Sequence, residues 1–457
     1  MGQTETPLRA SPFPYPTPRI LCFSLPRFPP SKILSERSLA VANIPSCPPY
    51  LTSLLSLFAA HDEAAYPVGG CVRDTLMGIP PHDWDVAVTT PPETTQTICE
   101  SAGLRVIPTG IKHGTVSVLL PLSGDLADRE GPYDLIECTT CRTEGGYTDG
   151  RHPDAVTFTG LIEDDLSRRD FTVNAMAFTE DENGLSVLDL FGGQADLRAG
   201  VIRAVGDPDT RFAEDTLRLL RGVRFAVKLG FSIEKNTYAA ICRHAEGLAR
   251  VSRERISEEF QKILTSPQPE RGISLLTETG LMPYVLPHGI SPTGTGDLSS
   301  LPADFALRTA CLLWEQDDQH SVENLAGLRL SNRVRRDILT ITRSAAAEIK
   351  ATPRYAREWR HRMGELAIPA LTVRCARHAE DASEAAKLMT LAEASAARNE
   401  PVNMADLAIN GADLLAVGFK PGRILQDVFC DLLEAVWDDP SKNSREKLIE
   451  IALKRKD

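Results

Sequence analysis

The amino-acid sequence predicts an α+β fold in which a small mixed-sheet head precedes a long, all-helical remainder. Between residues 49 and 140, helical segments alternate with strand patterns, namely YPV, DWDVAVTT, GTVSVLL and YDLIECTT. From about residue 160 strand patterns nearly vanish, and long segments such as PDTRFAEDTLRLLRGVRFAVKLG and RERISEEFQKIL carry helical periodicity. No apolar run approaches the roughly 18 residues that a membrane-spanning helix needs.

Four regions are expected along the chain. Residues 1–46 are rich in proline and serine and lack any regular period, which indicates a disordered extension. A head at 47–180 contains two predicted helices, LTSLLSLFAA and PPETTQTICESAG, and the second begins at prolines and ends at a glycine. A helical neck at 181–265 and a helical body and tail at 266–457 follow.

Composition narrows the class of protein. The 457 residues carry a net charge of −12, which argues against a simple polyanion binder, although a local basic patch still permits nucleic-acid contacts. The ten cysteines are scattered, so reduced thiols and a cytoplasmic location are expected. The pair Cys138 and Cys141 has no second pair to complete a zinc site.

The stretch DWDVAV places two carboxylates on one strand. Asp83 and Asp85 are two residues apart, so they project from the same face. Glu137, in the strand YDLIECTT, is in a position to meet them across the sheet. Three converging carboxylates suit Mg²⁺, and two such ions support an in-line phosphoryl displacement. Without the other motifs, the alternative interpretation of Asp83 and Asp85 is an exposed turn that binds no metal.

A glycine turn and an arginine precede the acids. Gly69 and Gly70 lead into a short helix, where backbone N–H groups can approach a phosphate. Arg73, one turn later, can add a charged fork to the same phosphate. The order of glycines, arginine and paired acids therefore favours a nucleotide triphosphate site over an unrelated loop.

A second constellation predicts a choice of base. In RFAEDTLRLLRGVRFAVKLGF, Asp215, Arg218, Arg221 and Arg224 recur at intervals of three along one helix face. Asp215 accepts and Arg218 donates hydrogen bonds, so the pair imitates a base-pairing edge. That edge fits cytosine and adenine and leaves unpaired groups against uracil and guanine. The alternative is a salt-bridged helix surface.

These motifs together resemble the class II tRNA nucleotidyltransferase (CCA-adding) and bacterial poly(A) polymerase family, which has a polymerase β-like head. The resemblance rests on GGxVRD, DxD, RRDFTVNAMAF at 168–178 and EDxxR, and it is dense over about residues 60–265. It implies catalytic roles for Asp83, Asp85 and Glu137, the first two holding Mg²⁺. It implies nucleotide contacts from Gly69, Gly70, Arg73, Arg169, Asp170, Asn174, Asp215, Arg218, Arg221 and Arg224.

The resemblance implies an enzyme that adds CMP and AMP from CTP and ATP to the tRNA 3′ end. The stretch RTEGGYTDGRHPDAVTF at 142–158 looks like the family's flexible loop at full length, which disfavours a CC-only enzyme. A-only addition and poly(A) polymerisation stay open, as does a non-catalytic RNA-binding module. No membrane or protein partner is expected. The basic segments 329–336 and 354–363 are candidate RNA contacts, with ordinary solvated helix faces as the alternative.

Overall fold

The computed structural model describes residues 47–111, 114–122, 133–145, 155–181, 184–377 and 379–455. The expected extension at 1–46 and the middle of the expected loop at 142–158 lie outside the described residues. In the described part of the chain, no helix is both long and apolar enough to cross a bilayer.

The head is built on a five-stranded mixed sheet, as the sequence predicts. Its strand order is β1-β2-β5-β4-β3, with β2 and β5 parallel and the other neighbours antiparallel. The strands are β1 Ala65–Pro67, β2 Asp85–Val88, β3 Arg105–Gly110, β4 Thr115–Pro121 and β5 Tyr133–Thr140. The accompanying helices are α1 Pro49–Ala59, α2 Gly70–Leu76 and α3 Pro92–Ser101.

Strands continue beyond the main sheet, so the expectation that they nearly vanish after residue 160 is wrong for 176–189. RRDFTVNAMAF does not form one helix: a 3₁₀ turn at Thr172–Asn174 leads into a strand. Met176, Ala177 and Phe178 are all buried, and a short apolar run buried on both faces looks alike in a helix and a strand. The additional strand pairs are β6 Arg142–Gly145 with β7 Ala155–Phe158, β8 Met176–Asp181 with β9 Gly184–Asp189, and β10 Val201–Ile202 with β11 Ser232–Ile233.

The rest of the described chain is helical. The head and neck contribute α4 Ile162–Ser167, α5 Gly193–Ala199, α6 Pro208–Glu214, α7 Arg218–Leu229, α8 Lys235–His244 and α9 Arg253–Leu264, and the body begins with α10 Pro269–Glu278 and α11 Met282–Val285. Then come α12 Phe305–Leu312, α13 Asp318–Gly327, α14 Asn332–Arg343, α15 Pro353–Met363, α16 Ala367–Arg377, α17 Ala379–Ala397, α18 Gly411–Ala416, α19 Arg423–Asp438 and α20 Arg445–Lys454.

The predicted helix across 211–231 is interrupted between α6 and α7. Asp215 has extended backbone angles, φ −135° and ψ 102°, and its side chain accepts a hydrogen bond from the Leu217 N–H at 3.1 Å. Aspartate competes with the helix for nearby backbone donors in this way, which ends one helix and starts the next. The apolar face of α7 packs into the core, since Leu219, Leu220 and Val223 are fully buried.

Two separate cores hold the helical remainder. One continuous cluster runs from the head sheet through the neck and body as far as Ala392. A smaller cluster, centred on Leu414, Leu432 and Leu448, belongs to the last helices alone. The tail therefore packs around its own core. The head and neck share one close-packed core, which fixes the positions of the residues at the junction between them.

Candidate active site

A pocket of about 460 Å³ lies where the head meets the neck, between α2, α4, α7 and α9. It brings together all of the predicted nucleotide-binding residues except Arg224, and one of the three predicted acids. Its lining comprises Gly69, Gly70, Arg73, Asp85, Arg168, Arg169, Asp170, Asn174, Asp215, Leu217, Arg218, Arg221, Phe225 and Arg255. The lining contains six arginines and three aspartates, so the surface that a ligand meets has more cationic than anionic side chains although the chain is acidic.

The predicted acids lie at one end of the sheet. Asp85 begins β2 and pairs in register with Glu137 on the parallel strand β5, so the two side chains share a face. Asp83 precedes the strand, and its 80% exposed side chain lies 2.8 Å from the His82 ring nitrogen. Burial raises the pKa of Asp85, and the charges of Glu137 and Asp83 raise it further against the opposing pull of Arg169.

The donor set fits a hard divalent cation. Asp85 and Glu137 place carboxylates on one face of the sheet with Asp83 two residues before Asp85, and carboxylate oxygens are the ligands Mg²⁺ prefers. Among the described residues, no group of three side chains stands ready to coordinate an ion. Completing the set requires Asp83 to turn away from His82, which its exposure allows.

The glycine turn serves a close approach between segments. Gly69 has φ +81°, a conformation that side chains disfavour, and Gly70 begins α2. A Cβ on Gly69 would lie only 2.6 Å from the Arg169 guanidinium, so any side chain here would also displace the end of Arg169. The Gly69 N–H donates to the Met176 carbonyl at 3.1 Å. The prediction that this amide is available to a phosphate is therefore wrong for Gly69.

A buried hydrogen-bonded chain connects head and neck. Arg73 donates to Asn174 at 2.5 Å, and Asn174 donates to Asp170 at 3.2 Å. Arg221, from α7, donates to the other oxygen of Asp170 at 2.7 Å. Burial alone would raise the pKa of Asp170, but Arg221 and Asn174 outweigh that cost and lower it to about 2. The four side chains thus hold one another in fixed orientations.

Asp215 is presented to the pocket by the break between α6 and α7. Its Oδ1 accepts from the Leu217 N–H, and its Oδ2 accepts from Arg255 of α9 at 3.0 Å. Each carboxylate oxygen has a further acceptor site. Asp215 therefore offers hydrogen-bond acceptors to the pocket from an extended residue between two helices.

Arg218 lies at the start of α7 with its guanidinium fixed by protein groups. It donates to the Glu214 carboxylate at 2.7 Å, to the Arg211 carbonyl at 3.2 Å and to the Arg168 carbonyl at 2.9 Å. A guanidinium has five N–H donors, so these bonds to described residues leave two for a ligand. Asp215 and Arg218 both line this pocket, each held by different partners, so the pocket has both a carboxylate acceptor and guanidinium donors.

Arg221 and Arg224 continue the same spacing along α7, but only Arg221 is among the residues that line the pocket. Arg221 lines the pocket beside Asp170. Arg224 donates to Glu259 of α9 at 2.9 Å, is almost buried and does not contribute to the described lining. The structure therefore does not bring Arg224 to the pocket, contrary to the expectation of a nucleotide contact.

Four lining residues are absent from the sequence-based set: Arg168, Leu217, Phe225 and Arg255. Arg168 had a local signal, because Asp165 lies three and four residues before Arg168 and Arg169 and pairs with both. Arg255 reaches Asp215 from a helix 40 positions away, for which no local signal exists.

The two basic segments behave differently. Arg329, Arg333 and Arg336 of the first have side chains 65%, 75% and 73% exposed, so their role in RNA binding stays a prediction. In the second segment, Arg354 pairs with Asp438 and Arg357 pairs with Glu400 at 2.6 Å. These arginines connect the body to the tail, which favours the structural alternative for residues 354–363.

Comparison with protein families divides the chain into three matched parts. Residues 65–203 match the poly A polymerase head domain, 230–290 a probable RNA and SrmB-binding site of polymerase A, and 306–452 a putative tRNA nucleotidyltransferase domain 2. The CCA-adding enzyme of Limosilactobacillus fermentum is 35% identical over 408 residues, covering 87% of this chain and 95% of that protein. That of Latilactobacillus sakei is 34% identical over 414 residues, covering 87% and 96%.

Solved structures agree with this similarity. The Bacillus stearothermophilus CCA-adding enzyme in complex with CTP superposes with a TM-score of 0.73 at 30% identity, over 90% of this chain and 98% of that one. The Thermotoga maritima CCA-adding enzyme complexed with tRNA superposes with a TM-score of 0.63 at 23% identity, over 93% and 98%. The second likeness concerns the fold alone.

Proposed function

The chain belongs to the tRNA nucleotidyltransferase family that contains the CCA-adding enzymes, and we propose that it adds CMP and AMP to the 3′ end of tRNA. CTP and ATP are the donors, and pyrophosphate is released. The long relatives it matches are named for this activity, and one similar structure was solved with CTP. Template-independent addition needs a protein surface that reads the base, and the pocket offers one.

The observation that carries the proposal is the pair Asp215 and Arg218 at one wall of a positive pocket. Cytosine and adenine each show an amino group beside a ring-nitrogen acceptor, which match the Asp215 oxygens and the two uncommitted N–H groups of Arg218. Uracil and guanine show the opposite order, so an acceptor would face an acceptor at a cost of about 1–3 kcal/mol for each unsatisfied group.

The remaining residues bind and orient the reactants. Arg73, Arg169 and Arg221 supply positive charge for the triphosphate, and Asp170 with Asn174 holds two of them in place. The terminal 3′-hydroxyl of the tRNA attacks the α-phosphate, and pyrophosphate departs.

Asp83 and Asp85 would hold two Mg²⁺ ions, which supply Lewis-acid activation of the hydroxyl and charge neutralisation when bound. Glu137 shares their face and supports the same site.

Two other activities found in this family compete with full CCA addition. An A-adding enzyme would extend only tRNA that already ends in CC. A poly(A) polymerase would extend any RNA with many adenylates. A pocket wall that fits cytosine and adenine equally favours full CCA addition over both, since each alternative needs adenine alone.

The test is incorporation into three tRNA transcripts, ending before CCA, after C and after CC, with each nucleotide alone and with CTP plus ATP. Growth of the first transcript by three residues that then stops is the expected result. Extension of the CC-ended transcript alone would identify an A-adding enzyme, and long adenylate tails on any RNA a poly(A) polymerase. No incorporation with Mg²⁺ present would refute the proposal and leave the RNA-binding module.

A further inference from the structure

One buried aromatic ring gathers three arginines at the head–neck junction. Phe225 of α7 has the guanidinium carbons of Arg73, Arg221 and Arg224 at 5.5, 5.4 and 4.4 Å from its ring centroid. Arg73 comes from the head and the other two from the neck. The ring is almost buried, and it also forms part of the pocket wall.

Three guanidiniums this close repel one another, and the surroundings offset that repulsion in two ways. Each has its own carboxylate, in the order Asp74, Asp170 and Glu259. Each also lies over the same ring, whose negative π face attracts cations, most strongly where water is excluded. The carboxylates fix one end of each guanidinium, and the ring fixes the distance between guanidiniums from different parts of the fold.

We propose that Phe225 is a positioning residue that sets the affinity of the site for the triphosphate group through its π face. It holds Arg73 of the head and Arg221 of the neck, which both line the pocket, against one ring. This inference deepens the proposed function and rests on it. It assigns Phe225 to triphosphate binding and not to base choice, because the guanidiniums over its ring in the described part of the chain belong to Arg73, Arg221 and Arg224 and not to Arg218.

The test replaces Phe225 with mono-, di- and trifluorophenylalanine, which barely change the size of the side chain and progressively weaken the negative face of the ring. Binding of inorganic triphosphate is measured by calorimetry, and KM and kcat for CTP are measured on a tRNA transcript. We expect Kd and KM to rise stepwise, by about 2-fold per fluorine and about 5- to 30-fold for Phe225→Leu. The CTP over UTP selectivity and kcat should stay within about 2-fold of the unsubstituted protein.

Phe171 provides the matched control. It is fully buried and packs edge-on against Phe225 with centroids 5.8 Å apart, and among the described residues no guanidinium lies over its ring. Fluorination at Phe171 should leave Kd and KM unchanged. A flat series at Phe225, an equal response at both rings, or a change confined to base selectivity overturns the proposal.

The outcome also separates this inference from the proposed function. If the unsubstituted protein binds triphosphate but adds no nucleotide to any transcript, the proposed function fails, and the calorimetric series still decides the role of Phe225. If it adds nucleotides normally while the fluorinated series is flat, the role of Phe225 fails alone. Absence of triphosphate binding by the unsubstituted protein overturns the role of Phe225, while incorporation into the transcripts still decides the proposed function.

Discussion

Replacing Arg218 with lysine should relax the choice of base more than it weakens nucleotide binding. The guanidinium of Arg218 is fixed by three bonds to Glu214 and to the carbonyls of Arg211 and Arg168, which leaves two N–H donors for the base. Lysine keeps the positive charge, so general attraction of the triphosphate persists. Its single ammonium group cannot keep the three protein bonds and also present two donors in one plane.

The magnitude follows from the hydrogen bonds at stake. A wrong base leaves about one buried polar group unsatisfied for each mismatched contact, at roughly 1–3 kcal/mol. Since about 1.4 kcal/mol corresponds to tenfold, loss of the Arg218 contact should reduce selectivity for CTP over UTP by about 5- to 150-fold. The KM for CTP should change by less than that factor, because the lysine charge is retained.

The assay is single-nucleotide incorporation on a tRNA transcript that ends before CCA, with kcat/KM measured for CTP and for UTP. Arg211→Lys is the matched control, because Arg211 contacts the same Glu214 carboxylate at 2.7 Å but does not contribute to the described pocket lining. Selectivity should stay unchanged in that control. An unchanged ratio in Arg218→Lys, or an equal fall in both variants, would refute the reasoning about the base.

Three further outcomes are expected. Asp85→Asn should abolish incorporation while tRNA binding, measured by gel shift, stays intact; lost binding would contradict a role in the metal site. Asp165→Asn should lower the free energy of unfolding by about 3–5 kcal/mol in chemical denaturation, because it removes the buried carboxylate that pairs with the guanidiniums of Arg168 and Arg169. The pKa of Asp170 is lowered from 3.8 to about 2, so its stabilisation is fully present above pH 3.8 and is lost as the pH falls towards 2. Over that pH range the free energy of unfolding of the unsubstituted protein should fall by roughly 2 kcal/mol more than that of Asp170→Asn, measured by denaturation at a series of pH values. The same dependence of this free energy on pH in both proteins would contradict the role of Asp170.

The elements of the head that were predictable have strong local patterns. β5 alternates exposed and buried residues along most of its length, and α3 begins at prolines and ends before a glycine. The strand at 176–181 was not predictable, because a run buried on both faces has no period of two to detect. The break at Asp215 depends on one side-chain bond to the Leu217 N–H, which periodicity does not record.

The same division applies to the site. The spacing of Asp215, Arg218 and Arg221 along the sequence predicted that they share a site, and all three line the same pocket. Arg224 has the same spacing, but Glu259 of a distant helix takes its guanidinium. Spacing along a helix gives the face on which a residue lies, whereas its partner is set by tertiary packing. Most of the lining residues were therefore predictable from the motifs, whereas their partners, and a lining residue on a distant helix such as Arg255, were not.

These partners determine how an acidic protein can hold a polyanion. All six arginines that line the pocket contact an acid, and for Arg73, Arg168, Arg169 and Arg218 that acid lies outside the lining. Pairing keeps the guanidiniums charged and fixed, while the surface that a ligand meets has three more arginines than aspartates. Attraction for the triphosphate then comes from that excess, and selectivity comes from the few donors and acceptors left uncommitted. Affinity and base choice should consequently be separable by mutation, which is what the variants of Phe225 and Arg218 test from opposite sides.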